Sequence, residues 1–242
     1  MNLDLTVLKA MLQKALEWGQ LAEHPGKTVK LLKNPNRKTR FLSEEEEACL
    51  LSACSPALRR AIEIGLLTGF RRRELVSLQP EDVDLERGMV SVAACYAKNG
   101  ESRTLPLGPR LEALLRDALA ARGDAQTVLV NEHGRPWAPD ALSALFRETC
   151  ENVQLGSLGP HVLRHTFGSR LVMAGVDLRT VQDLMGHKTI TMTMRYAHLS
   201  PDHKRAAMEA LESRFSGKSP VTFHNALTLQ TSEEYMKTAA IR

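Results

Sequence analysis

The chain has 242 residues, a formal net charge of +4 and a sequence pI near 8.9, with 43% hydrophobic and 25% charged residues. That length holds one large domain, or one domain with appendages, and supports a core that needs neither disulfides nor a structural metal. No apolar run is long enough to span a bilayer and no signal peptide is visible, so the expected place of work is the cytoplasm. The basic balance favours a nucleic-acid partner only weakly. Cys49, Cys54, Cys95 and Cys150 form no CxxC pair, and no His cluster completes a zinc site. They are expected to be reduced thiols, mostly buried.

In chain order, residues 3–18 read as an amphipathic helix, with Leu5, Leu8, Leu12, Ala15 and Leu16 on one face and Gly19 as its stop. The stretch from Lys27 to Arg40 is polar and basic. Lys27, Lys30, Lys33, Arg37, Lys38 and Arg40 face no acid there, which suits a solvated linker, a segment crossing DNA phosphates, or both. Ser43 and Glu46 have capping-box spacing, and the acids 44–47 suit a helix N-terminus. Ser55-Pro56 opens a further helix, Gly69 turns the chain, a short helix carries RRRELVSL, and Pro80 ends it.

Strands are expected at 89–95 and 103–107, joined by a hairpin turn at Asn99-Gly100, with a third strand at 127–131. The remainder reads as helical, with candidates at 109–122, 139–153, 160–174, 178–185, 189–197 and 201–214. The fold class expected is mainly α with a small antiparallel β-sheet (α+β). The organisation expected is an N-terminal segment 1–40, a main domain 41–216 and a tail 217–242.

Four patterns carry chemistry. Arg71 follows a Gly69 turn at a helix N-terminus, where backbone N–H groups favour an anion, and Glu74 lies three residues on, placed to hold it. Lys98 sits at the hairpin tip. His161 and Arg164 stand at i and i+3 and share a helical face, while Leu163 and Phe167 anchor the same helix in the core. Gly186 ends a helix and exposes His187, and Tyr196 follows nine residues later on a short helix that Pro201 stops. Each pattern alone has an ordinary structural explanation: a surface ion pair, a solvated turn lysine, a chance spacing, a packed tyrosine.

Taken together, in this order and with these gaps, the patterns resemble the tyrosine recombinase, or phage integrase, family, which includes the Xer resolvases. The resemblance runs from about Phe41 to about Ser216, with Arg71, Lys98, His161, Arg164, His187 and Tyr196 filling its six positions. It implies the tyrosine recombinase catalytic-domain fold and a site-specific recombinase acting on double-stranded DNA. Tyr196 would attack the scissile phosphorus and form a 3′-phosphotyrosyl link. Arg71, Arg164 and His187 would hold the phosphate oxygens, Lys98 would protonate the departing 5′-oxygen, and His161 would assist proton traffic at the tyrosine or help hold the phosphate. Two arginines and a lysine would supply the positive charge, so no metal, ATP or other cofactor is expected.

The same resemblance makes residues 1–40 a remnant of an N-terminal DNA-binding domain with its basic linker. It also implies a homotetramer on DNA. The tail could dock on a neighbouring protomer through Thr222, Phe223, Ala226 and Leu227, or could be a loosely ordered terminus. Two alternatives share the motifs: a topoisomerase IB-like DNA relaxase and a catalytically silent DNA-binding fragment. The HxxR box and the GH pair nine residues before Tyr196 favour a recombinase over the first. The second is disfavoured because every motif position is filled.

Overall fold

A computed structural model describes residues 2–32, 40–92 and 102–200, together with Met208 and Glu212. The chain divides into two compact units, Met1–Lys38 and Thr39–Arg242. In the first, helix α1 (Asn2–Glu17) ends at Gly19, whose φ is +71°. The following segment returns along the helix. The Lys9 Nζ donates to the Val29 carbonyl at 2.6 Å, and the His24 ring lies 3.2 Å from the Lys9 carbonyl. Val7, Leu8 and Met11 remain exposed on α1, as does Trp18 just after it.

The second unit is mainly helical. Several helix starts follow directly from local chemistry. Ser43 and Glu46 form the expected reciprocal cap on α2 (Glu44–Ser52). Proline occupies the first turn of α3 (Pro56–Thr68), α5 (Pro109–Ala121) and α6 (Pro139–Asn152), where its missing N–H costs nothing. Asp177 caps α8 (Leu178–Met185) by accepting from the Arg179 and Thr180 amides. Between these lie the five-residue α4 (Arg72–Val76) and α7 (His161–Met173). After them come α9 (Ile190–Thr193) and a 3-10 turn, Met194–Leu199, in place of one continuous helix over 189–197. Met208 and Glu212, within the helix expected at 201–214, are helical.

Among the described residues the sheet has three antiparallel strands in the order β1 (Val83–Asp84), β2 (Met89–Val92) and β3 (Arg103–Pro106). Val90 pairs with both Val83 and Leu105. The expected third strand at 127–131 is a correction. There Val128 donates to the Leu78 carbonyl at 2.8 Å, and only an isolated bridge joins Val130 to Pro136. The segment is apolar because Val128, Leu129 and Val130 are buried, not because it lies in the sheet.

The core runs along α3 and α7, with Ile62, Ile64, Leu66, Leu163 and Phe167 buried among residues of α5, α6 and the sheet. At Gly65 a Cβ would come within 3.1 Å of the Leu163 side chain, which shows how closely α3 and α7 approach. Leu42 is tied to α7 by its amide, which donates to the Thr166 hydroxyl at 2.9 Å. The cysteines are less buried than expected: Cys150 is buried, Cys54 half-buried and Cys49 exposed. Their surroundings decide this, since α2 turns Cys49 outward while α6 turns Cys150 into the core. Cys95, Lys98, the Asn99-Gly100 turn, Lys33, Arg37, Lys38 and the tail beyond Glu212 lie outside the described residues.

Candidate active site

The ends of α4, α7 and α8 and the final 3-10 turn converge on a cavity of roughly 190 Å³. Arg71, His161, Arg164, His165, His187, Met192, Arg195 and Tyr196 line it. Five of the six motif residues therefore share one pocket, although they are spread over 125 positions from Arg71 to Tyr196 (196 − 71 = 125).

Arg71 is the residue that caps α4. Its own amide donates to Glu74 Oε2 at 2.8 Å, and its Nη1 donates to Glu74 Oε1 at 2.7 Å. The helix N-terminus expected to attract an external anion is thus already occupied by the Glu74 carboxylate. Glu74 also accepts from Arg103 Nη2 at 2.7 Å and Nη1 at 3.2 Å. Burial works to raise the Glu74 carboxyl, but hydrogen bonding and charge from Arg103, and then the bonds from Arg71, drive it down to about 2.

Arg103 is a functional neighbour that the sequence reading missed. It stands on β3 with its side chain 9% exposed, and its guanidinium lies 5.3 Å from the centre of the Phe70 ring. A signal for it existed. Arg103 and Leu105 share one face of the strand, and Leu105 is core. An arginine on a core-facing strand position requires a buried acid, and Glu74 is that acid.

Arg164 is buried on α7. Its Nη1 donates to the Gly69 carbonyl at 2.7 Å, and its Nη2 donates to the Met185 carbonyl. Arg71 Nη2 donates to the next carbonyl, that of Gly186, at 3.2 Å. Both guanidiniums therefore grip the same turn at the end of α8. Gly186 makes that turn with φ +59°, and a Cβ there would sit 2.9 Å from Arg103 Cδ. Burial, with repulsion from Arg71 and Arg103, pushes the Arg164 guanidinium down to about 9. A cation held at such cost is relieved when an anion enters.

His187 differs from its expected place. The turn at Gly186 folds it inward, and it is 9% exposed rather than presented to solvent. Its Nδ1 lies 2.9 Å from the Thr193 hydroxyl, and Gln182 Nε2 donates to its carbonyl at 3.0 Å. Burial, then the charges of Arg164, Arg71, Arg195 and Arg103, hold its pKa down to about 3, so the ring is neutral. In the tautomer whose Nδ1 accepts from the Thr193 hydroxyl, the ring proton sits on Nε2, where it can donate to an anion.

Tyr196 is 1% exposed. Burial raises its phenol, and Arg164 and Arg195 pull the other way. Its hydroxyl lies 2.8 Å from His165 Nδ1, with the two rings tilted 52° and their centres 6.1 Å apart. His165 was also missed. The motif reading selected His161 and Arg164 by their i, i+3 spacing, and His165 one residue on was taken as part of the helix. His161 lies exposed on the first turn of α7, at the cavity's edge.

Lys27 and Lys30 are exposed in the first unit. Arg40 is engaged by Glu46 through two hydrogen bonds of 2.8 and 2.6 Å. Among the described residues no cluster of three or more His, Cys, Asp or Glu side chains could hold a metal, and no helix is long and apolar enough to cross a membrane.

This geometry can do three things: hold an anion between two guanidiniums, donate to it from a neutral imidazole, and present a phenol beside it. Tyrosine recombinase XerC of Roseiflexus castenholzii is 36% identical over 148 residues, covering 57% of this chain and 46% of that protein. Tyrosine recombinase XerD of Staphylococcus saprophyticus is 33% identical over 155 residues, covering 61% and 52%. The chain thus spans about half the length of these curated relatives. The Tn1549 transposon integrase, solved in complex with a circular intermediate DNA, superposes with a TM-score of 0.70 at 24% identity, over 86% of this chain and 78% of that one, and so shares its fold. Residues 40–203 match the family model described as the phage integrase family, and the chain belongs to that family.

Proposed function

We propose that this chain is the catalytic part of a site-specific DNA recombinase, which cleaves and rejoins strands through Tyr196. The observation that carries this reading is the sharing of one cavity by Arg71, Arg164, His187 and the Tyr196 phenol. A scissile phosphodiester seated there places its non-bridging oxygens against the two guanidiniums, whose forked donors suit phosphate. His187 adds a donor from Nε2. Tyr196 Oη attacks phosphorus, the bond to the 5′-oxygen breaks, and that oxygen leaves as a hydroxyl. The product is a 3′-phosphotyrosyl link, which a 5′-hydroxyl from a partner strand later reverses.

The arginines are neutralised in part by Glu74 and held by backbone carbonyls, so they need little rearrangement as charge develops on the phosphate. We assign Lys98 the protonation of the departing 5′-oxygen. Lys27, Lys30, Lys33, Arg37, Lys38 and Arg40 are assigned to the DNA backbone. For Arg40 that requires exchanging Glu46 for phosphate. The remaining parts of the reading are residues 1–40 as the remnant of a DNA-binding segment, 217–242 as a protomer-docking tail, a homotetramer on DNA and a cytoplasmic location.

The test is a pool of nicked duplexes with randomised arms, in which cleavage releases a short strand and traps the covalent product. The wild-type chain is expected to give a protein–DNA adduct that survives denaturation, and Tyr196→Phe none. An adduct that persists in Tyr196→Phe, or no adduct from any duplex in the pool, overturns the reading.

A further inference from the structure

We propose that His165 takes the phenolic proton of Tyr196 as the tyrosine attacks, and returns it when the strand is rejoined. The inference rests on the recombinase reading and assigns within it a role that the family resemblance implied for His161, as the alternative to holding the phosphate.

The phenol is inside the fold, and the hydrogen bond of its hydroxyl is to His165 Nδ1 at 2.8 Å. The approach is made possible by Gly168, one turn along α7 from Arg164. A Cβ at Gly168 would lie 3.1 Å from Tyr196 Cζ and 2.7 Å from Met185 Sδ. With no side chain there, the ring lies against the helix and its oxygen meets the imidazole. Burial raises the phenol further above neutrality, against the pull of Arg164 and Arg195, so attack requires a proton acceptor within hydrogen-bond reach.

His187 is unsuited to that task. Its Nδ1 is committed to Thr193 Oγ1, and its depressed pKa makes it a poor base. His161 lies exposed on the first turn of α7, while His165 sits one turn deeper, against the nucleophile. The charged and titratable groups around the Tyr196–His165 pair are Arg164 and His161 on α7, Arg71 at the start of α4, His187 after α8, and Arg195 beside the tyrosine. The arginines favour the phenolate over the phenol.

The step balances as follows. Neutral His165, with its ring proton on Nε2, accepts the phenolic proton on Nδ1. The Oη–phosphorus bond forms as the bond to the 5′-oxygen breaks, and that oxygen takes its proton from the acid assigned above. In rejoining, the attacking 5′-hydroxyl yields its proton to that acid's conjugate base, the Oη–phosphorus bond breaks, and the imidazolium reprotonates the phenolate.

Single-turnover cleavage of a duplex recovered from the nicked pool tests this across pH. In the wild type the rate is expected to rise through an inflection, as the base loses its proton, and then level off. His165→Asn keeps an acceptor for the phenol but no base. It should cleave about 10²–10⁴-fold more slowly and lose the inflection, its rate climbing with pH toward phenol ionisation. Free imidazole should restore cleavage to His165→Ala and not to His165→Asn. The inference is overturned if His165→Asn cleaves at the wild-type rate with the inflection intact, or if His161→Asn is the variant that removes the inflection. A wild-type chain that yields no adduct at all overturns the recombinase reading together with this one, so the two failures are distinguishable.

Discussion

Arg71 and Arg164 are held by groups that are themselves buried, whereas Tyr196 is carried on two short elements with one buried residue each: Thr193 in α9 and the tyrosine in the 3-10 turn. On the arginine side, Glu74 accepts four hydrogen bonds from Arg71 and Arg103, and two consecutive carbonyls of one turn, those of Met185 and Gly186, hold the Arg164 and Arg71 guanidiniums. On the tyrosine side, Ile190, Met192 and Met194 face solvent. A charge clamp gains from rigidity because its donors must be aimed before charge develops. On the proposed function, a nucleophile that is linked to DNA and then freed gains from short elements several of whose other side chains face solvent.

The largest loss is expected at Glu74. Glu74→Gln keeps the shape but leaves two guanidiniums without their anion, and should lower stability by about 3–5 kcal/mol, read by urea unfolding at neutral pH. The pH dependence follows from sign. The Glu74 carboxyl is depressed in the fold from 4.5 to about 2. Its contribution is therefore complete above about pH 4.5 and is lost as pH falls through 2. The stability gap between wild type and Glu74→Gln should narrow over that window. A gap that stays constant down to the acid end would show that the pair does not stabilise the fold through charge.

Arg164→Lys comes next. A lysine has no fork with which to reach the Gly69 and Met185 carbonyls and a phosphate together, so single-turnover cleavage should fall by about 10²–10³-fold. Gly186→Ala is smaller. It forces a side chain into a left-handed turn beside Arg103, and should lower stability by about 1–3 kcal/mol, seen as a shift in the urea midpoint with unchanged slope. Smallest is Ile190→Ser on the tyrosine side, which should change stability by no more than about 0.5 kcal/mol. A loss as large as that of Gly186→Ala would mean that α9 is packed far better than its exposure indicates.

Much of this was legible along the chain because it is local. The capping box at Ser43, the prolines at the starts of α3, α5 and α6, and Gly186 at the end of α8 each act within a turn of their own helix, so residue order is enough to read them. Strands were harder. The two-residue β1 is too short to show alternation, and the apolar run at 127–131 owes its composition to burial alone. The burial of His187 was also missed, since the sense in which the Gly186 turn folds the chain is set by what Arg71 and Arg164 grip.

The sequence by itself determined Arg71, His161, Arg164, His187 and Tyr196 as groups of the site, though not Arg103 or His165, because residue types, caps and spacings are properties of neighbouring positions. Only the tertiary structure decided which groups meet. Arg103 reaches Glu74 across 29 positions and His165 reaches Tyr196 across 31. Contacts at such separations depend on how α7, β3 and the final turn pack against one another, and periodicity within one element carries no information about its partner's position.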